Sequence, residues 1–251
     1  GYIHADMIID YVVSSKLSNN FIKTLENSVG EYIDNGPIFR EICIEAENNK
    51  TNLLRQLQIS EDKRLVAFLD HSIGHIGVLS SEAFRSFLEY ILRIADKNPD
   101  INFLYKSKKD VNHLNNLAGF DVINIIDQIR SKKNCFYVND YNFNSLETIG
   151  ISDLIISAPI SSVLYESLSA GKRTISYDPM SQYTDFNIPS QKLPFFSATS
   201  HDELDQLFHY WLFEVSDTEF REYLKENLLR YIQIDKGISL INEFKVFQGR
   251  Y

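Results

Sequence analysis

Asp153-Leu-Ile-Ile-Ser157-Ala-Pro-Ile-Ser161-Ser162-Val-Leu-Tyr-Glu166-Ser-Leu-Ser-Ala-Gly171-Lys-Arg-Thr-Ile-Ser-Tyr-Asp178 reads as strand, tight turn, helix and strand in quick succession. Leu154, Ile155 and Ile156 form an apolar run without alternation, as in a strand covered on both faces of a parallel sheet. Pro159 ends that strand, because proline has no N–H for a ladder and restricts the residue before it. Ser161 or Ser162 suits an N-cap, and a helix starting there offers free backbone N–H groups beside two hydroxyls. That end of a helix favours anions, phosphate above all. Gly171 supplies the left-handed residue that closes the helix, and Thr174 to Tyr177 returns as the next strand. The same features fit a βαβ unit whose helix is simply well capped, and the residues alone do not choose between the two readings.

The rest of the chain limits what such a unit can serve. With 251 residues, 44% of them hydrophobic, it has the material for one large α/β domain or a domain and part of another. No apolar run is long enough to span a bilayer, and no signal peptide is visible. Thirty-four acidic against 25 basic side chains give a net charge of −9. That balance argues against a nucleic-acid partner, whose phosphates call for a basic surface. Cys43 and Cys135 lie far apart without metal or redox spacing and read as reduced packing residues of a cytoplasmic protein. The six histidines form no H-E-x-x-H pattern, so no metal is expected.

Met7 to Val13 looks like a strand, Leu17, Phe21, Leu25 and Val29 have helical spacing, and Tyr32 to Ile38 looks like a short strand ending in a Gly-Pro turn. Residues 39–62 are polar, with a helix expected around Leu53, Leu54 and Leu57, and read as a linker into the main domain. Regular alternation begins at residue 63. Leu65 to Leu69 is a strand, then comes a loop with His71, Ser72, Gly74, His75 and Gly77, then a helix capped by Ser80 or Ser81 that reaches Asn98. Phe84, Phe87, Leu88, Ile91 and Ile94 share one side of that helix. Further strands are expected at Ile101 to Tyr105, Cys135 to Val138 and, weakly, Phe195-Phe196, with helices at Val122 to Arg130 and Ser145 to Ile149. Beyond Ser200 three helical segments follow: Asp202 to Glu214, Thr218 to Ile232 and Gly237 to Phe247.

Strands alternating with helices specify an α/β fold with a doubly wound parallel sheet, most simply ordered 3-2-1-4-5-6. That order places the loop 70–77 beside the turn 157–162 at the carboxyl edge, where such sheets bind ligands. Lys106 and Asp140 end strands two and three on the same edge. The loop is not G-x-G-x-x-G, which disfavours a nicotinamide dinucleotide, and there is neither a G-x-S-x-G elbow nor a Walker-type loop. Candidate contacts are therefore Ser72, Gly74, Lys106, Asp140, Ser157, Ser161, Ser162, Glu166 and Asp178. His71 and His75 are the weak candidates for proton transfer. Each has an ordinary structural alternative: a solvated charge, a cap or a polar loop.

Residues 157–172 followed by the strand Thr174 to Tyr177 and Asp178-Pro179 resemble the donor-binding half of GT-B glycosyltransferases of bacterial capsule, lipopolysaccharide and teichoic-acid-like surface polysaccharide synthesis. The resemblance covers roughly 64–200. It implies a Rossmann-like C-terminal domain over 63–200 that holds a nucleotide sugar, with Ser161 and Ser162 on donor phosphate and Glu166 on the ribose. Lys106 matches a basic residue that several of these families place after the second strand, although many relatives have Lys-Pro or His-Pro where this chain has Lys106-Ser107. Residues 1–38 would be the end of an N-terminal Rossmann-like domain, and 201–251 helices packed on the donor domain. The chain would then carry mainly the donor half of a metal-independent enzyme without a cofactor, acting on a glycan or glycolipid acceptor. The resemblance also implies peripheral association with the inner face of the membrane or with other polysaccharide-synthesis proteins. A sugar-nucleotide epimerase of the same architecture and a non-catalytic assembly module are the alternatives.

Overall fold

The computed structural model describes residues 9–14, 29–34, 40–71, 73, 79–139, 143–159, 161–181 and 196–228. Near the N-terminus, β1 (Ile9–Ser14) and β2 (Val29–Asp34) pair in parallel, as a βαβ piece requires. The second strand begins three residues earlier than the sequence pattern indicates. The helix expected from Leu17 falls outside the described residues.

The main sheet has six strands: β3 (Leu65–Leu69), β4 (Asn102–Lys106), β5 (Cys135–Val138), β6 (Leu154–Ser157), β7 (Thr174–Tyr177) and β8 (Ser197–Ala198). Their order is β5-β4-β3-β6-β7-β8, all parallel, which is the 3-2-1-4-5-6 arrangement with its switch between β3 and β6. Register then decides what meets at the carboxyl edge. Val138 pairs with Lys106, Lys106 with Leu69, Leu69 with Ser157, and Ser157 with Ser176. The residues that leave these strands therefore emerge side by side. The last strand lies two residues beyond the expected Phe195-Phe196. Phe196 is wholly buried, and its carbonyl accepts the Ser176 N–H just before β8 starts.

Period-two alternation sorts the strand residues onto two faces. Val66, Phe68, Phe103, Tyr105 and Ile156 join one large core with α3 (Ser81–Lys97), whose Phe84, Phe87, Leu88, Ile91 and Ile94 are all buried. Ser80 is the N-cap and accepts the Ala83 N–H at 3.1 Å. The helices α4 (Val111–Ala118) and α5 (Val122–Ser131) belong to this core through Leu114, Ala118, Val122, Ile126 and Ile129. Apolar spacing does not reveal the first of them, since only Leu114 and Ala118 of its eight residues are buried.

On the other face lie Leu65, Ala67, Leu69, Leu104 and Ile155. They are covered by α1 (Arg40–Asn48), α2 (Lys50–Gln56), α6 (Ser145–Ile151) and, through Val163, α7 (Ser162–Ser169). The stretch read as a linker is thus two helices, and Cys43, Ala46, Leu53 and Leu54 bury themselves in this layer. A Cβ on Gly150 of α6 would lie 2.4 Å from the Cys43 carbonyl oxygen, so α1 and α6 touch backbone to backbone.

After β8 the chain forms α8 (His201–His209), one π-helical turn (Tyr210–Glu214) and α9 (Asp217–Leu228). The expected single helix to Glu214 changes pitch at Tyr210. Trp211 and Leu212, adjacent in sequence, are both buried, while Phe213 faces out under the Arg64 guanidinium. The segment expected at Gly237 to Phe247 is outside the described residues.

Candidate functional site

A cleft of about 240 Å³ opens at the carboxyl edge across the switch point. Its lining comes from the ends of β3, β4 and β5 and from the starts of α6 and α7: Leu69, Asp70 and His71; Lys106, Ser107 and Lys108; Asn139; Phe143, Asn144 and Ser145; and Ser161, Ser162 and Val163. The expected neighbourhood of the 70–77 loop, the 157–162 turn and Lys106 is present, because register brings Leu69, Lys106 and Ser157 into one row.

Ser161, rather than Ser162, caps α7. Its Oγ accepts the Val163 N–H at 3.1 Å, and its side chain is buried. That leaves Ser162 exposed at the first position of the helix, where it lines the cleft. The far end of α7 closes as expected. Gly171 takes φ of 74° and donates its N–H to the Leu168 carbonyl, while Lys172 N–H donates to Ser167. These two bonds satisfy orphan carbonyls of the last turn.

Glu166 lies one turn beyond Ser162 and stands off the cleft wall. Burial raises its carboxyl above the ordinary range, and a hydrogen bond from Ser162 partly opposes that shift. Ser157 is wholly buried beneath the edge, and its Oγ has no hydrogen-bond partner. Asp178 is buried at the end of β7 and does not line the cleft. His71 lines it, half-buried. Ser72, Gly74, His75 and Asp140 fall outside the described residues.

Two features of the cleft are missing from the sequence reading. Asn144 starts α6 with a capping box, its side chain accepting the Glu147 N–H while Glu147 accepts the Asn144 N–H, and so turns a second helix start toward the cleft. The spacing Asn-x-x-Glu was the available signal. The other feature is Asp70. It is 4% exposed, and its carboxylate receives the Tyr105 hydroxyl at 2.7 Å and the Lys108 backbone N–H at 2.8 Å. Burial raises its pKa to about 6, against the pull of those hydrogen bonds. Nothing in Leu69-Asp70-His71 announces a buried acid. Lys106 and Lys108 set positive charge in the same cleft as Ser162, beside the apolar Leu69, Phe143 and Val163, an arrangement able to hold an anion.

The doubly wound parallel α/β fold is shared with several solved structures. The wall teichoic acid polymerase TagF aligns over 91% of this chain and 54% of its own, at 14% identity and a TM-score of 0.59. UDP-GlcNAc 2-epimerase from Neisseria meningitidis, solved bound to UDP-GlcNAc, aligns over 92% of this chain and 58% of its own, with 16% identity and a TM-score of 0.55. A glycosyltransferase from Rickettsia africae gives 96%, 63%, 15% and 0.52 in the same order. The chain thus spans somewhat over half the length of these structures. The chain belongs to the polysaccharide biosynthesis PFTS motif family, whose pattern it matches over residues 7–208. No curated protein matches it significantly in sequence. Among the described residues, no helix is long and apolar enough to cross a membrane.

Proposed function

We propose that the chain carries the donor-binding half of a glycosyltransferase that moves a sugar from a nucleotide-activated donor onto a surface polysaccharide or glycolipid. The supporting observation is the convergence of Lys106, Lys108, Ser162 and the start of α7 on one cleft at the switch point, in a polysaccharide-biosynthesis family. The nucleotide diphosphate would lie against the α7 amides with Lys106 beside it, and Glu166 would hold the ribose. As the glycosidic bond to the donor phosphate breaks, negative charge grows on the departing phosphate. Fixed donors already aimed there stabilise it without reorganisation. Lysines and amides supply that charge in this reading, so transfer proceeds without a divalent metal and survives a chelator. His71 and His75 remain the candidates for proton transfer, and the acceptor would be held largely outside residues 63–200. Residues 1–38 serve as the end of the acceptor-side domain and 201–251 as packing helices. The enzyme works in the cytoplasm, at the inner face of the membrane.

Titration with UDP, GDP, CDP and CMP, followed by calorimetry or tryptophan fluorescence, tests the site. At least one nucleotide is expected to bind. Ser162→Ala and Lys106→Met are each expected to weaken binding by about tenfold, the scale of one charge-assisted hydrogen bond. Absence of binding by folded protein to all four overturns the reading. The epimerase reading has a fold neighbour in its favour. Release of a free sugar without any acceptor would select it.

A further inference from the structure

Lys106 ends β4, and the turn after it decides where its charge and that of Lys108 are held. The chain bends sharply through Ser107, Lys108 and Lys109 before Asp110 caps α4. A turn of three residues with two lysines has little reason to keep one shape on its own, since like charges repel and both side chains are long. Its anchor directly follows a different strand, β3. Lys108 donates its backbone N–H to Asp70 Oδ1 at 2.8 Å, across 38 residues of sequence. Tyr105, the residue before Lys106, donates its hydroxyl to the other oxygen of the same carboxyl at 2.7 Å. Asp70 thus grips the chain on both sides of Lys106. Ser107 completes the turn, with its hydroxyl 2.6 Å from the Lys109 carbonyl and 3.3 Å from Asp70.

We propose that Asp70 is a positioning residue of the donor site, which as a hydrogen-bond acceptor fixes the 107–109 turn and so presents Lys106 and Lys108 to the phosphate. The role rests on the donor-site reading above. A purely structural carboxyl is the competing view, and geometry separates the two. Asp70 itself lines the cleft, and both groups it binds flank the cleft cation. Its charge is not what the role needs, because an amide oxygen at the same place can accept the Lys108 N–H equally well. An ionised Asp70 also repels a phosphate in the same cleft. A neutral acceptor is therefore tolerated, and loss of the acceptor is not.

The experiment compares Asp70→Asn, Asp70→Ala and Tyr105→Phe in the full chain, measuring affinity for whichever of UDP, GDP, CDP or CMP binds the wild type. Amide hydrogen exchange at Lys108 is followed without ligand. Asp70→Asn is expected to stay within about threefold of wild type and to keep the Lys108 amide protected. Asp70→Ala is expected to bind about tenfold more weakly, the effect of leaving one buried donor unsatisfied, and to exchange that amide faster. Tyr105→Phe keeps the Lys108 bond, retains most of the ring packing, and should fall between them. Equal affinity in wild type and Asp70→Ala overturns the role, as does an Asp70→Asn variant as weak as Asp70→Ala. If Asp70→Ala does not fold, Asp70→Asn decides, since a Lys108 amide that loses its protection there while affinity stays unchanged overturns the role. Failure of the wild type to bind any of the four nucleotides overturns the donor-site reading itself, and this role with it. The two failures are thereby distinct.

Discussion

At Asp70 burial and hydrogen bonding pull in opposite directions, and burial wins: the native carboxyl titrates at about 6, against 3.8 for an ordinary aspartate. Below the lower value both folded and unfolded chains carry the proton, and above about 6 neither does. Between them the folded chain holds more protons than the unfolded one, so stability falls as pH rises through that window. A gap of about two pH units corresponds to about 3 kcal/mol. Asp70→Asn has no such proton. The stability of wild type relative to this variant is therefore expected to rise by about 2–3 kcal/mol between pH 7.5 and pH 4, measured by urea denaturation at each pH. A difference that stays constant across the range would show that the carboxyl is ordinary. The facing groups are Tyr105, Ser107 and Lys108 on β4 and its turn and Tyr137 on β5, and His71, Lys106, Ser161 and Ser162 line the same cleft. Lys106, Ser161 and Ser162 were readable in the sequence because strand ends and helix caps have local signatures. The acid was not, since its burial depends on Tyr105 and Lys108, 35 and 38 residues away.

Two glycines separate steric from conformational demands at the scale of elements. Gly171 closes α7 with φ of 74°, and an added Cβ there would meet nothing within 4 Å. Gly171→Ala should therefore cost only the strain of a left-handed residue, about 1 kcal/mol. Gly150 has no such backbone, yet its added Cβ would sit 2.4 Å from the Cys43 carbonyl oxygen and 2.6 Å from Ala46 Cβ. Backbone cannot rotate aside, so α1 must move off α6. Gly150→Ala is expected to destabilise by about 2–3 kcal/mol despite its better helix propensity. Denaturant midpoints check both, and a Gly150→Ala protein within 0.5 kcal/mol (about a tenth of a typical domain's stability) of wild type would contradict the α1–α6 contact. Gly171 was legible because helix stops leave a sequence mark. The contact at Gly150 was not: α1 has exposed Ile42 and Ile44 beside buried Cys43 and Ala46, a pattern that reads as polar linker. The strand order was readable for the opposite reason, since alternation of apolar runs and amphipathic helices leaves few topologies.

For the whole molecule the question is whether the helices after β8 melt with the sheet or apart from it. Trp211 is the only tryptophan, which makes it a clean reporter. Its ring is buried and lies 5.2 Å from Phe196 at the sheet, 5.3 Å from Phe220 and 5.6 Å from Tyr223 of α9. Phe103 on β4 stacks on Phe208 of α8 at 6.2 Å, so the contact reaches the middle of the sheet. Arg93 and Lys97 of α3 add ion pairs to Asp205 of α8. Those pairs are partly exposed and contribute little each. The apolar contacts are what tie the units, because they merge the helices into the same core as β3, β4, β6 and β7. Burying Trp211, Phe208 and Phe220 stabilises both partners together, at about 2–3 kcal/mol for each large side chain. A unit that lost this layer would expose the face of the sheet. Thermal unfolding followed by Trp211 fluorescence and by far-ultraviolet circular dichroism should therefore give coincident transitions. An earlier fluorescence transition, with the dichroism largely intact, would show the helices to be a separately stable cover. Addition of the nucleotide that binds should move both curves upward together, because a ligand held at the β3–β6 switch stabilises the single core that Trp211 reports.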